Sequence, residues 1–207
     1  MELITGLSKL KTLVNTSLAF NKDVYDQERL VEMQGIIKDL VTTYSTNLTE
    51  NEIQRYFSSD VGYVTPKVDI RAVVFNAQGK LLLVQEKSDH TWALPGGWAD
   101  VGYSPGEIAQ KETFEEAGLD VVPKQLLKVV DKAKHDYPQS LEYVYKFFIL
   151  CQADSEKVST GIETSDVAFF TEAEVEQLAI SVQRNRLADL KVLFAFYRNP
   201  WQITQFD

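Results

Sequence analysis

The chain has 207 residues, 44% hydrophobic and 25% charged, the balance of a globular protein with room for one ordinary domain and a small one. Its formal net charge is −9 and its pI about 4.8, which disfavours long nucleic acid as the main partner, because that binding needs a cationic surface. A single Cys151 excludes a disulfide framework within the chain, and two histidines, His90 and His135, leave no basis for a Cys/His zinc site.

The opening MELITGLSKLKT lacks an apolar core long enough for a signal peptide, and no span approaches membrane length, so a cytoplasmic, reduced protein is expected. Leu3, Leu7, Leu10, Val14 and Leu18 recur at steps of four and three, as do Leu30, Met33, Ile37, Leu40 and Tyr44, which predicts two helices. Thr49 to Glu52 is a capping box for a third, shorter one. These helices are expected to form a packing unit or a dimer surface. At Thr65-Pro66 the pattern changes. Val68 to Phe75 is β-rich, Asn76 to Gly79 is a turn, and Lys80 to Gln85 is a second strand, which together predict a hairpin. A helix follows from Pro105 to Ala117, with Ser104 as N-cap, Glu107 closing the capping box and Gly118 at the C-cap. Strands are expected near 126–132, 142–151 and 165–170. A helix opens at Thr171 to Glu174, and a last one runs from about Arg184 to Phe196. Strands on both sides of an acidic helix suit an α/β/α layered domain.

The end of the Pro105–Ala117 helix carries Glu112, Glu115 and Glu116. Acids oppose the negative end of a helix, and like charges at i,i+3 and i,i+4 each cost roughly 0.2–0.5 kcal/mol. No cation lies beyond them in that turn, so a missing one would resolve the conflict. Residues at this spacing share a face, and the three carboxylates are expected to converge on one point suited to a hard divalent cation. The Gly96-Gly97 pair lets backbone approach such a site and offers a carbonyl ligand. The bland alternative is a solvated acidic face.

From Gly97 the segment reads G-x5-Y-x7-K-E-x2-E-E-x-G-L. It resembles the signature of the Nudix hydrolases, G-x5-E-x7-R-E-U-x-E-E-x-G-U, where U is a bulky aliphatic residue. Gly97, Glu112, Glu115, Glu116, Gly118 and Leu119 match, and Trp92 to Gly96 resembles the usual lead-in. Tyr103, Lys111 and Thr113 depart from the pattern, replacing a Glu, an Arg and an aliphatic residue. Lys111 is expected to support the loop differently, pairing Glu107 or Glu115 at i±4. Asn21 to Arg29 and Gly62 to Asp69 resemble a helical N-terminal domain found in Nudix hydrolases and named for hydrolases of X-linked nucleoside diphosphates.

The resemblance implies an α/β (α+β) fold: a Nudix α/β/α sandwich with a mixed sheet over 66–200, preceded by a small all-helical domain over 1–62. It implies an ADP-ribose pyrophosphatase-like enzyme that hydrolyses the diphosphate of a nucleoside diphosphate linked to another group, either ADP-ribose or a CDP-alcohol such as CDP-choline. Mg²⁺ or Mn²⁺ would be held by Glu112, Glu115, Glu116 and the Gly96 carbonyl. The base would be Glu112 or Glu163, whose place resembles that of a late Glu in some Nudix enzymes. Two rivals stand beside this reading. An RNA-end processing hydrolase is opposed by the acidic balance, and a non-catalytic nucleotide-sensing module by the intact acids.

Other candidates remain open. Arg71, inside an apolar strand, needs a partner and is either paired with an acid such as Asp69 or a clamp on substrate phosphate. Glu86 and Lys87 face the site or form a solvated strand end. Asp100 lines the glycine loop, and Trp98 covers it or stacks on a base. Lys132 and His135 belong to a nucleotide-receiving loop or an ordinary polar one. Arg184 and Arg186 pair with the helical domain or with substrate. The apolar stripes of residues 1–60 predict a homodimer.

Overall fold

A computed structural model describes residues 3–45, 48–58, 62–200 and 203–207. The chain divides into two compact units, residues 1–66 with 139–143, and residues 67–138 with 144–207. Among the described residues no helix is long and apolar enough to cross a membrane.

The first unit contains α1 (Leu3–Phe20), α2 (Val24–Tyr44) and α3 (Glu50–Ser58). Asp23 caps α2 through the amides of Tyr25 and Asp26, and the expected capping box of Thr49 and Glu52 opens α3. The core is Leu7, Val14, Ile37, Val41, Ile53 and Tyr56, completed by Leu141 from the inserted segment 139–143. The expected apolar stripes are corrected here. Leu3, Leu10, Met33, Leu40 and Tyr44 are exposed, while Ser8, Lys11 and Asn15 are buried. Polar groups can occupy the inner face because they are satisfied there. Ser8 Oγ donates to Leu141 O at 2.5 Å, Lys11 Nζ to Tyr56 O at 2.7 Å, and Asn15 Oδ1 accepts from Gln34.

The second unit is built on two sheets. It runs through β1 (Lys67–Val74), β2 (Leu81–Glu86), β3 (Trp92–Ala93), α4 (Pro105–Ala117), β4 (Val121–Asp131), a 3₁₀ turn (Lys132–Lys134) and β5 (Val144–Ala153). It then continues through β6 (Thr164–Phe170), α5 (Glu172–Val175), α6 (Leu187–Arg198) and β7 (Gln205–Phe206). One sheet has the order β1-β5-β4-β7, with β1 and β5 parallel and β5 and β4 antiparallel. The other has the order β3-β2-β6. This is the expected α/β class with mixed pairing. β4 begins earlier than expected because it continues through Pro123 by shifting register there, a bulge that tolerates proline.

The predicted β1–β2 hairpin does not form. The turn itself is present, with Asn76 N donating to Lys80 O at 3.0 Å and a single bridge from Phe75 to Leu81, but the strands then part into different sheets. Both are buried along nearly their whole length, which suits inner strands better than a two-stranded ribbon. The edge of β1 that β2 would have used is taken by the segment Pro95–Ala99. Ala72 N donates to Pro95 O and Ile70 N to Gly97 O, each at 2.8 Å, and Ala99 N donates to Val68 O at 2.9 Å.

Two apolar clusters fill the unit. One joins Val73, Leu83, Leu94, Phe148, Leu190 and Phe194. The other joins Ile70, Ala72, Val84, Ile149 and the inner face of α4 through Ile108, Ala109 and Ala117. The second cluster seats α4 against β1, so the C-terminal acids of α4 meet the segment Pro95–Ala99.

Candidate active site

The glycine loop needs its glycines for different reasons. Gly96 has φ of 147°, and a Cβ there would strike the carbonyl of Ile70. A Cβ on Gly97 would come within 3.1 Å of the Glu112 carboxylate, so its absence makes room for that group. The flanking carbonyls of Pro95 and Gly97 are bonded to β1, and the Gly96 carbonyl lies between them in sequence.

α4 has both predicted caps. Ser104 and Glu107 form the capping box, and Gly118 closes the end with φ of 62°. Glu116 is only 8% exposed, and its Oε2 accepts a hydrogen bond from Gly96 N at 3.0 Å. Burial pushes its pKa up to about 8; the Gly96 amide and Arg71 oppose the rise, and Glu112 and Glu86 add to it. Burial also raises Glu112, with Lys111 opposing. Glu115 is exposed. Lys111 stands among the acids, its Nζ 3.1 Å from Asp100 Oδ2, 3.8 Å from Glu112 Oε1 and 3.9 Å from Glu115 Oε2. The i,i+4 approach to Glu115 is present, whereas Glu107 is occupied at the N-cap by Ser104 N at 2.7 Å.

The expectation that three carboxylates already converge is corrected. Among the described residues no group of three or more His, Cys, Asp or Glu side chains is gathered closely enough to hold a metal ion. Glu116 is drawn to the Gly96 amide and Glu115 lies toward Lys111. The donor set still fits a hard divalent cation: carboxylate oxygens on one helix end beside a glycine loop, one of them buried with its charged form disfavoured by burial.

Around these acids the remaining candidates fall as follows. Arg71 is buried, with Nε 2.9 Å from Asp69 Oδ1 and Nη1 donating to Leu94 O at 3.2 Å, so the ion pair with Asp69 is present. Glu86 is buried, which corrects the solvated strand end; its Oε1 lies 3.0 Å from Arg184 Nε, and its charge acts on both Arg71 and Glu116. Arg184 also reaches Asp89, and Arg186 pairs with Asp189 at 2.8 Å. Lys87 donates to Ile162 O at 2.6 Å. Glu163 is exposed on a loop fastened to the end of α4, where neighbouring Thr164 Oγ1 donates to Glu116 O at 2.8 Å. Asp100 binds Lys111, Trp98 bridges to Asp69 through backbone, and Tyr103 is half exposed. Lys132 Nζ lies 3.4 Å from Gln183 Oε1. His135 Nε2 lies 2.6 Å from Asp207 Oδ1.

Sequence reasoning missed Lys146, a fully buried cation on β5 that pairs with Asp69. A usable signal was there: Lys146 is a lone charge in the apolar run from Val144 to Cys151, the same feature that drew attention to Arg71.

A helix end rich in acids, one of them buried, packed on a glycine loop within a two-sheet α/β unit, is the site architecture of a Nudix-type hydrolase. The NUDIX domain family matches residues 65–190, and the chain belongs to that family. It is 40% identical over 199 residues to a Bacillus subtilis (strain 168) protein named "Putative ADP-ribose pyrophosphatase YjhB", covering 96% of this chain and 94% of that one. A crystal structure of an ADP-ribose pyrophosphatase from Streptococcus suis 89-1591 is similar at 36% identity and a TM-score of 0.61, over 69% of this chain and 100% of that one. A UDP-X diphosphatase structure is similar at 27% identity and a TM-score of 0.62, over 99% of this chain and 97% of that one. The protein is thus an enzyme of the Nudix pyrophosphatase class, a family that acts on small nucleotides and generally uses divalent metal ions.

The raised Glu116 predicts a pH signature. In the unfolded chain the group titrates near 4.5 and in the folded chain near 8, so folded stability falls as pH rises through that window, and the loss is complete above it. With a chelator present, Glu116→Gln should raise Tm, by more at pH 9 than at pH 6. Thermal melts of both proteins at the two pH values check this, and a gain that shrinks with pH would contradict it.

Proposed function

We propose that this enzyme is a divalent-metal-dependent pyrophosphohydrolase that cleaves the diphosphate of a nucleoside diphosphate linked to a second group. The substrate reading is ADP-ribose or a CDP-alcohol such as CDP-choline. The observation that carries the metal assignment is the buried Glu116 carboxylate bound to the Gly96 amide, beside Glu112 and opposite Arg71. The whole-length similarity to the YjhB protein, by its name, supports ADP-ribose.

Glu112, Glu115 and Glu116 would hold Mg²⁺ or Mn²⁺ together with the Gly96 carbonyl. The bound ion supplies neutralisation of phosphate oxygens and acidification of water. Lys111 would then yield the carboxylates it now attends. Arg71, held by Asp69, offsets negative charge on the diphosphate oxygens as the bond breaks. The proton of the attacking water passes to Glu112 or Glu163.

Glu115→Gln and Glu116→Gln should each lower turnover by about two to three orders of magnitude without loss of fold, because the ion's charge is central to the chemistry and fewer like charges remain at the helix end. Phosphate release assayed across ADP-ribose, CDP-choline and other nucleotide diphosphates, with Mg²⁺ and Mn²⁺ compared, tests both residues and substrate. Near-normal rates in both variants would exclude these acids as ligands.

We also propose a homodimer formed through residues 1–60. Leu10, Leu13, Val31, Met33 and Ile36 leave apolar surface uncovered on α1 and α2. Sedimentation of the full chain should give twice its 23.5 kDa mass. A soluble, monomeric, fully active fragment beginning near Val64 would refute it.

A further inference from the structure

One face of the first sheet carries charge beside the acids. Asp69 and Arg71 are two apart on β1, and Lys146 lies opposite Asp69 in the parallel register with β5. Val130 of β4 lies opposite Lys146, and Lys132 follows two residues later. Asp69 is shared by Arg71 and Lys146, both buried. Lys132 reaches the neutral Gln183. Burial lowers the proton affinity of Lys132 and Lys146, Asp69 opposes the shift at both, and Arg71 lowers both further. Asp189, the nearby buried acid, already accepts from Lys128, Arg186 and the Tyr137 hydroxyl. Among the described residues this face therefore holds an excess of positive charge. At its other end Arg71 acts on Glu116 and Glu112, so the cations continue directly from the candidate metal site.

The aromatic surface here is also engaged. The Tyr137 ring centroid lies 5.9 Å from Lys132 Nζ, 5.6 Å from Lys146 Nζ and 4.9 Å from Arg186 Cζ. A quaternary ammonium group is recognised by open aromatic faces, and this one already faces three cations.

We infer that the Arg71–Lys146–Lys132 face is an anion subsite that selects nucleoside diphosphates whose linked group is neutral or anionic over those carrying a quaternary ammonium. Lys132, partly exposed, is the group that meets the linked moiety, while Arg71 serves the diphosphate. Asp69 is a positioning residue that holds Arg71, and Lys146 in turn holds Asp69. The selectivity is as much repulsion of the wrong charge as attraction of the right one. The inference rests on the hydrolase reading above and narrows its choice of substrate against choline.

The test compares CDP-glycerol with CDP-choline, which share a nucleotide and differ in the charge of a small linked alcohol. The full-length enzyme is assayed with Mn²⁺ at low ionic strength. Wild type should favour CDP-glycerol by about tenfold or more in kcat/KM. Lys132→Gln should bring the ratio near parity, acting on KM more than on kcat, and Lys132→Arg should restore it. A wild-type preference for CDP-choline, equal rates, or a ratio unchanged in Lys132→Gln would overturn the subsite while leaving the hydrolase reading standing. No release from either compound or from ADP-ribose would overturn both.

Discussion

The hydrogen bond from the Gly96 amide to the buried Glu116 carboxylate joins the two halves of this site. One half is the glycine loop, which lies on β1 through the bonds of Pro95, Gly97 and Ala99. The other is the C-terminal turn of α4, seated on the same strand by Ile108, Ala109 and Ala117. Without that bond a nearly dry carboxylate would lack a donor, and even with it α4 ends in three acids against its own dipole. The bond satisfies one oxygen and leaves the electrostatic conflict in place, so the site retains a call for positive charge.

The chain answers that call with cations of different reach. Lys111, partly exposed, stands among Asp100, Glu112 and Glu115 at 3.1 to 3.9 Å, a spacing that satisfies them loosely. Arg71 is buried and fixed by Asp69, with its remaining field directed at Glu112 and Glu116. Arg184 does the same for Glu86 at 3.0 Å. A divalent ion held by Glu112, Glu115 and Glu116 would take over the part of this loosely held lysine and exchange for the proton that burial favours on Glu116, leaving Arg71 to the diphosphate oxygens.

Much of this was legible in the residues because local rules and tertiary need agree at α4. Ser104, Glu107 and Gly118 mark its ends by backbone chemistry, and the spacing of the acids violates helix electrostatics in a way that calls for a ligand. What was not legible depends on which strand edge is free. Asn76 to Gly79 reads as a hairpin turn and is one, yet β1 gives that edge to the glycine loop, a choice made only by long-range packing. The same holds for the helical unit, where Lys11 and Ser8 go inside because Tyr56 and Leu141 supply acceptors that periodicity cannot reveal. Lys146 escaped notice because β5 read as an ordinary apolar strand, and its role emerges only when the register sets it against Asp69.

The central claim is that a divalent ion takes the place of a proton at Glu116. Titration calorimetry of Mn²⁺ into the full-length protein, repeated in buffers of different ionisation enthalpy, counts the protons released on binding. The account predicts release approaching one proton per site at about pH 6.5, falling toward zero as the pH passes well above the Glu116 value of about 8. Binding with no proton release at the lower pH would contradict it.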